Sequence, residues 1–193
     1  LWYYVAQQYR AGKLPLWNPY ENLGAPLLAN GTTAAFYPGI VLFLLPVPYP
    51  AAYATFLLMH VLLAAWGAGR LAGELGCRSE TRPLAGTIYA LAGPTLFQIH
   101  NPIYLVGGAW LPWILAATWR IVHAEDSTLG SEIQVRAEDD GVGQGRTRYW
   151  RSVVRSRLRA ARLLAFASAM SVLGGDPQTA YHGALIAFGT WTV

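Results

Sequence analysis

The run Ala51–Ala72 constrains this chain more than any other stretch, because Arg70 is its only side chain of fixed charge. A helix needs about 20 predominantly apolar residues to cross a bilayer, and this run meets that length. Ile103–Val122 repeats the pattern, with Arg120 as its only fixed charge. Shorter apolar stretches follow the same design at Pro83–Ile99, with Gly93-Pro94 as an expected kink, at Leu158–Leu173, and from about Tyr181 onward. Composition agrees: 54% of residues are hydrophobic and 12% charged, a bias away from ordinary soluble chains. The predicted class is all-α, a polytopic helical membrane protein with about five spans in residues 51–193, the last incomplete. The 8 Trp and 11 Tyr suit a protein anchored at two water–lipid interfaces.

Charge then orients the spans. Of 14 basic residues, all but Arg10 and Lys13 fall in or beside the Glu74–Arg82 turn and the His123–Arg157 loop. Basic residues in short loops mark the cytoplasmic side, so residues 123–157 are predicted cytoplasmic and Val193 lies partway through a span. The pI near 9.4 is thereby a matter of topology, and nucleic acid is not an expected partner. The same assignment puts three other loops on the extracytoplasmic face. These are Pro15–Pro26, the His100-Asn101-Pro102 turn and Gly174–Thr179, which carry Glu21, His100, Asp176 and Gln178, with His182 close behind.

Residues 1–50 read as an extracytoplasmic loop. A short amphipathic piece, Leu1–Tyr9, opens it. Gly12–Pro26 then holds three prolines, which cannot continue a helix, among Leu14, Leu16, Trp17, Tyr20 and Leu23, which are too apolar for a solvated linker. An ordered, packed loop is expected, since irregular backbone beside a bilayer must be held in protein or line a wet cavity. Phe36–Pro48 is apolar but too short to span, so a re-entrant or interfacial segment is predicted. Asn30-Gly31-Thr32 matches a glycosylation sequon and is read only as a turn. Gly67, Gly69 and Gly73 are read as close helix contacts, not as a nucleotide loop, and His60 as a satisfied core histidine. Gly141-Val-Gly-Gln-Gly145 is read as linker. Cys77 is the only cysteine, so no intrachain disulfide forms. With no Met at position 1 and an apolar final run, the sequence is expected to be an internal piece of a longer chain.

Gly12-Lys-Leu-Pro-Leu-Trp-Asn-Pro-Tyr20, Gly24-Ala-Pro26 and Phe36-Tyr-Pro38 resemble the first extracytoplasmic loop of YfhO-like bacterial membrane proteins. Ala109-Trp-Leu-Pro-Trp113 and Gly175-Asp-Pro-Gln178 resemble later stretches of that family, in the same order. The resemblance implies a GT-C type glycosyltransferase of the bacterial plasma membrane. Such an enzyme moves a sugar from a polyprenyl-phosphate carrier to a cell-envelope acceptor on the outer face. The family pattern also implies a catalytic acid just after a first span. Here the only acid in residues 1–50 is Glu21, so that carboxylate is expected upstream of Leu1.

This chemistry needs a base for the acceptor hydroxyl and cationic or donor groups for the departing phosphate. Arg10 and Lys13 are the extracytoplasmic cations for that phosphate, against a reading as interfacial anchors. His100 could donate or shuttle a proton, and Asp176 could act as base; turn and helix-end capping is the plainer reading of both. Trp17 and Tyr20 could stack on a sugar or prenyl chain, or simply pack the loop. Asn18, Gln178 and His182 complete the substrate-binding candidates. No cofactor is required, and a divalent cation finds little support beside one lone carboxylate. A transporter or lipid flippase, and a non-catalytic membrane scaffold, are the alternatives. Broken spans would suit transport, but charged groups inside the spans are nearly absent.

Overall fold

The computed structural model describes residues 1–21, 23–123 and 142–191, with backbone alone at 142–150, 187, 190 and 191. It is helical, apart from one short ladder. Helix α1 (Trp2–Arg10) is followed by two short strands, β1 (Trp17–Asn18) and β2 (Ala25–Pro26). They pair antiparallel with Trp17 opposite Pro26. Two 3-10 turns, Gly31–Thr33 and Pro38–Leu44, lead into α2 (Tyr49–Glu74). Then come α3 (Arg82–Leu91), α4 (Gly93–Phe97), a 3-10 turn Gln98–His100, α5 (Pro102–Val122), α6 (Val142–Leu173) and α7 (Pro177–Trp191).

Side-chain contacts fix the helix directions. Trp113 Nε1–H donates to the Leu63 carbonyl at 3.1 Å, and Arg120 Nη2 lies 2.6 Å from Glu74 Oε1. Later residues of α5 thus meet later residues of α2, so the two run parallel. Gly86 of α3 lies against the Ala65 carbonyl, and Gly69 against that of Arg82, which makes α3 antiparallel to α2. Phe166 stands edge-on to Trp110 with ring centroids 5.5 Å apart, and Gly174 abuts Val106, so α6 opposes α5. Gly107 touches Asp176 and Gly183 touches Ile114, so α7 follows α5. Directions therefore alternate along the chain. The C-terminal ends of α2 and α5 share one end, and the turns before α5 and α7 share the other.

The glycines act as the spacing implied. A Cβ on Gly67 would strike the Trp113 ring, one on Gly86 the Ala65 carbonyl, and one on Gly69 would sit 3.1 Å from the Arg82 carbonyl. Small residues let these backbones approach closely.

Residues 1–48 are part of the same core. On α1, Trp2, Val5 and Ala6 are buried at the i, i+3, i+4 spacing of one helix face. The Trp2 ring lies 4.8 Å from Phe56 and 5.5 Å from Phe43. Ile40 and Phe43 of the Pro38–Leu44 turn are buried beside them.

Two expectations need correction. Pro83–Ile99 is not one kinked span: α3 stops at Leu91, and Ala92 is extended (φ −61°, ψ 146°) before α4 begins. Pro94 has no N–H for the preceding turn and its ring would clash with that turn, but it is well placed in the first turn of a new helix. Second, the helix ending at Leu173 begins at Val142, not Leu158. Residues 142–157 of the expected loop are thus helical, including Gly143 and Gly145 of the expected linker. Arginine is a good helix former, so the cluster extends the helix past the apolar part. Among the described residues, α2 and α5 are the two helices long and apolar enough to cross a membrane. The remainder of the expected cytoplasmic loop, with Glu138, Asp139 and Asp140, lies outside the described residues, as does Val193.

Candidate functional site at the loop end

The described residues of Gly12–Pro26 form a hydrogen-bonded turn, but the packing expected from its apolar side chains needs correction. Leu14, Leu16, Trp17, Tyr20 and Leu23 are all exposed, and polar and backbone contacts hold the turn instead. Pro15 is fully buried and Asn18 is 6% exposed. Asn18 Oδ1 accepts the Tyr20 N–H at 3.1 Å, and its Nδ2 donates to Glu21 Oε2 at 3.1 Å. Both ends of the amide therefore serve the turn, a usual task for asparagine. Half-exposed Trp17 lays its indole over Gly24, where φ is +110° and a Cβ would stand 2.7 Å from the ring. Tyr4 donates its hydroxyl proton to the Trp17 carbonyl at 3.1 Å. Tyr20 is 84% exposed and touches Tyr4 edge-on at 5.7 Å. The two aromatic rings at 17 and 20 thus face outward from a fixed backbone.

The ionisable candidates are placed less freely. Arg10 Nη2 donates to the carbonyls of Phe43 at 3.1 Å and Leu45 at 2.8 Å. It satisfies acceptors that the end of the Pro38–Leu44 turn leaves without helical partners. Lys13 is exposed, just after Gly12 turns the chain at φ +68°. His100 is exposed, with Nδ1 3.4 Å from the Phe97 carbonyl. Gln178 and His182 are exposed on α7, His182 with its ring 5.8 Å from that of Tyr181.

Asp176 is only 3% exposed. Its carboxylate accepts the Thr179 N–H at 3.1 Å and the Thr179 hydroxyl at 2.6 Å, the geometry of an N-cap on α7. Ser171 Oγ donates to the Asp176 carbonyl at 3.2 Å. Gly107 of α5 leaves the space that the carboxylate fills.

Two of the three loops expected on one face meet. At Gly175 (φ +91°) a Cβ would lie 3.1 Å from both the Gly31 carbonyl and Thr32 Cα, and 3.2 Å from Ile103. The turn before α7, the Gly31–Thr33 turn and the start of α5 therefore touch. No hydrogen bond or ion pair among the described residues joins any two of Arg10, Lys13, His100, Asp176, Gln178 and His182. Nor does any group of three His, Cys, Asp or Glu among them stand ready to hold a metal ion.

One buried polar chain escaped the sequence reading as a unit. Trp110 Nε1 lies 3.1 Å from the Tyr37 hydroxyl oxygen, which lies 2.6 Å from His60 Nε2. His60 Nδ1 in turn lies 2.7 Å from the Phe56 carbonyl. Indole can only donate. Tyr37 therefore accepts from Trp110 and donates to His60 Nε2, and His60 donates from Nδ1 to Phe56. Every member is satisfied and neutral, which bears out the core-histidine reading. Burial pushes the Tyr37 phenol up to about 12, against a smaller lowering by the Trp110 hydrogen bond. The signal lay in the Phe36-Tyr-Pro38 and Trp110-Leu-Pro-Trp113 pieces, but nothing in their spacing tied them to His60.

Beside Tyr37 and Trp110 runs an almost wholly apolar groove of about 690 Å³. Leu42, Leu58, Leu62, Trp66 and Phe166 are among its walls. It lies between residues 37–42 of the N-terminal segment and residues 55–66 of α2. Its shape and lining suit an alkyl or isoprenoid chain. Comparison of this chain with known protein families, curated proteins and solved structures returns no match.

Proposed function

We propose that this chain is part of a polytopic membrane glycosyltransferase, moving a sugar from a polyprenyl-phosphate carrier to a cell-envelope acceptor on the extracytoplasmic face of a bacterial plasma membrane. The observation that carries the reading is the apolar groove of about 690 Å³ along α2. A lipid-linked donor needs an apolar path for its chain and polar groups where the path meets water. The groove offers the first. Lys13, His100, Gln178 and His182 are the exposed polar groups proposed for the second, with Trp17 and Tyr20 as outward rings for a sugar face; none of them lines the groove itself. The YfhO-like motifs are what suggests the reaction class.

The test is transfer from a polyprenyl-phosphate sugar by the full-length protein in membranes. Leu62→Trp should obstruct the groove and reduce both transfer and photocrosslinking of a polyprenyl-phosphate probe, without lowering the melting temperature. His100→Ala should reduce transfer by roughly ten-fold or more, as loss of a charge-stabilising donor commonly does. A parent protein that neither crosslinks the probe nor transfers sugar would remove this reading.

A second reading, a non-catalytic membrane scaffold, is favoured by one observation. Arg10 and Asp176 are both engaged in capping backbone groups. In that case His100→Ala and Asp176→Asn would both rescue a deletion strain fully.

A further inference from the structure

At the end opposite the clustered loops, α2, α3 and α5 enclose a second cavity of about 590 Å³. Arg70, Arg82 and Arg120 all line it, against Glu74 as its single acid. Gly69 and Gly73 form its α2 wall and let α3 close in: a Cβ at Gly73 would stand 3.0 Å from the Arg82 guanidinium. Each arginine is held by one contact that leaves other donors over. Arg82 Nε donates to the Cys77 carbonyl at 3.2 Å, Arg120 Nη2 pairs with Glu74 at 2.6 Å, and the Arg70 guanidinium sits 5.7 Å over the Trp113 ring. A guanidinium carries five N–H donors in a planar fork that matches phosphate oxygens. Three of them around one acid leave the cavity two positive charges in excess, with the Ser79 hydroxyl also on its wall.

We propose that this cavity binds the phosphate group of an anionic membrane lipid, whose chain would compete with that of a sugar donor for the groove at Leu58 and Leu62. Arginine pockets between helices at the basic end of a membrane protein suit such headgroups. The lipid source, as opposed to a free phosphate, is argued by Trp66, which lines both this cavity and the apolar groove. From Trp66 the exposed side chains of Leu62 and Leu58 continue along α2 at four-residue spacing, one face of a helix. At ~1.5 Å per residue, Leu58 lies about 18 Å along the helix from Arg70, roughly the depth of one leaflet. A headgroup at the arginines would thus have its acyl chain over an apolar stripe of matching length.

The test is native mass spectrometry of the full-length protein released from nanodiscs containing phosphatidylglycerol and phosphatidylcholine. The parent should retain phosphatidylglycerol. Arg70→Gln and Arg82→Gln should each reduce that retention by about ten-fold, the loss of one charge-assisted contact. Arg155→Gln with Arg159→Gln, exposed on α6, serves as the charge control and should leave retention unchanged. The melting temperature of Arg70→Gln should match the parent, because Arg70 donates no hydrogen bond among the described residues and the Arg120–Glu74 pair is kept. Arg82→Gln also gives up the Cys77 contact, so its retention is compared at equal fraction folded. Equal retention by parent and Arg70→Gln would overturn the proposal. So would binding of inorganic phosphate or a nucleotide in detergent with no retained lipid, and so would loss of lipid in the α6 control.

Discussion

The Tyr37 hydroxyl lies 2.6 Å from His60 Nε2, and this bond ties the N-terminal segment to α2 while Trp110 ties it to α5. Tyr37→Phe would leave His60 Nε2 without its donor and Trp110 Nε1–H without its acceptor, both in the core. An orphaned buried group costs about 1–3 kcal/mol, so unfolding in detergent should shift by at least about 2 kcal/mol. A denaturation midpoint equal to the parent's would show that the three groups are not coupled.

Gly86 and Gly93 offer a matched pair. A Cβ at Gly86 would press into the Ala65 carbonyl, whereas one at Gly93 would meet nothing within 4 Å. Gly86→Ala should therefore destabilise by about 1–3 kcal/mol as α2 and α3 are forced apart. Gly93→Ala should stay within about 0.5 kcal/mol of the parent. The same loss in both variants would contradict the proposed helix contact.

Asp176 is positioned to cap α7, and this role can be separated from catalysis. Asp176→Ala should cost about 1–2 kcal/mol and raise amide exchange at the start of the helix, while Asp176→Asn, itself a good N-cap, should restore most of the loss. If transfer falls with Asn while stability holds, the carboxylate has a chemical task as well. If Asn fails to restore stability, capping is not what the side chain supplies.

Membrane orientation can be read with the native thiol. Cys77 is exposed in the turn between α2 and α3, at the end predicted to face the cytoplasm. An impermeant maleimide should leave it unlabelled in intact cells and label it after permeabilisation. In a Cys77→Ser background, Tyr20→Cys should label in intact cells. The reverse pattern would invert the topology and with it the placement of both proposed sites.

Much of this architecture could be read from residue order alone. The apolar runs that became α2 and α5 were legible because a long uncharged stretch has few alternatives to a buried or lipid-facing helix. A close helix contact was legible in Gly69 and Gly73, though not that its partner is α3. The apolar packing expected of the Gly12–Pro26 loop did not form, because its apolar side chains turn outward. The end of α3 was missed, because whether a proline kinks a helix or starts a new one depends on what receives the freed backbone groups. The start of α6 was missed for a related reason: arginine signals solvent but does not end a helix, so charge was mistaken for a boundary.

Local chemistry specified what each site residue could do, and tertiary structure decided what it does in the fold. Arg10 could meet a phosphate, yet its reach to Phe43 and Leu45 follows from where the Pro38–Leu44 turn packs. Asp176 could be a base or a cap, and burial beside Gly107 with Thr179 as partner favours the cap. Tyr37, His60 and Trp110 lie far apart in sequence and become one hydrogen-bonded chain only because the packed helices leave no water to satisfy them. Sequence fixes donors, acceptors and charges residue by residue. Pairing them depends on long-range distances, which the packing of helix against helix sets.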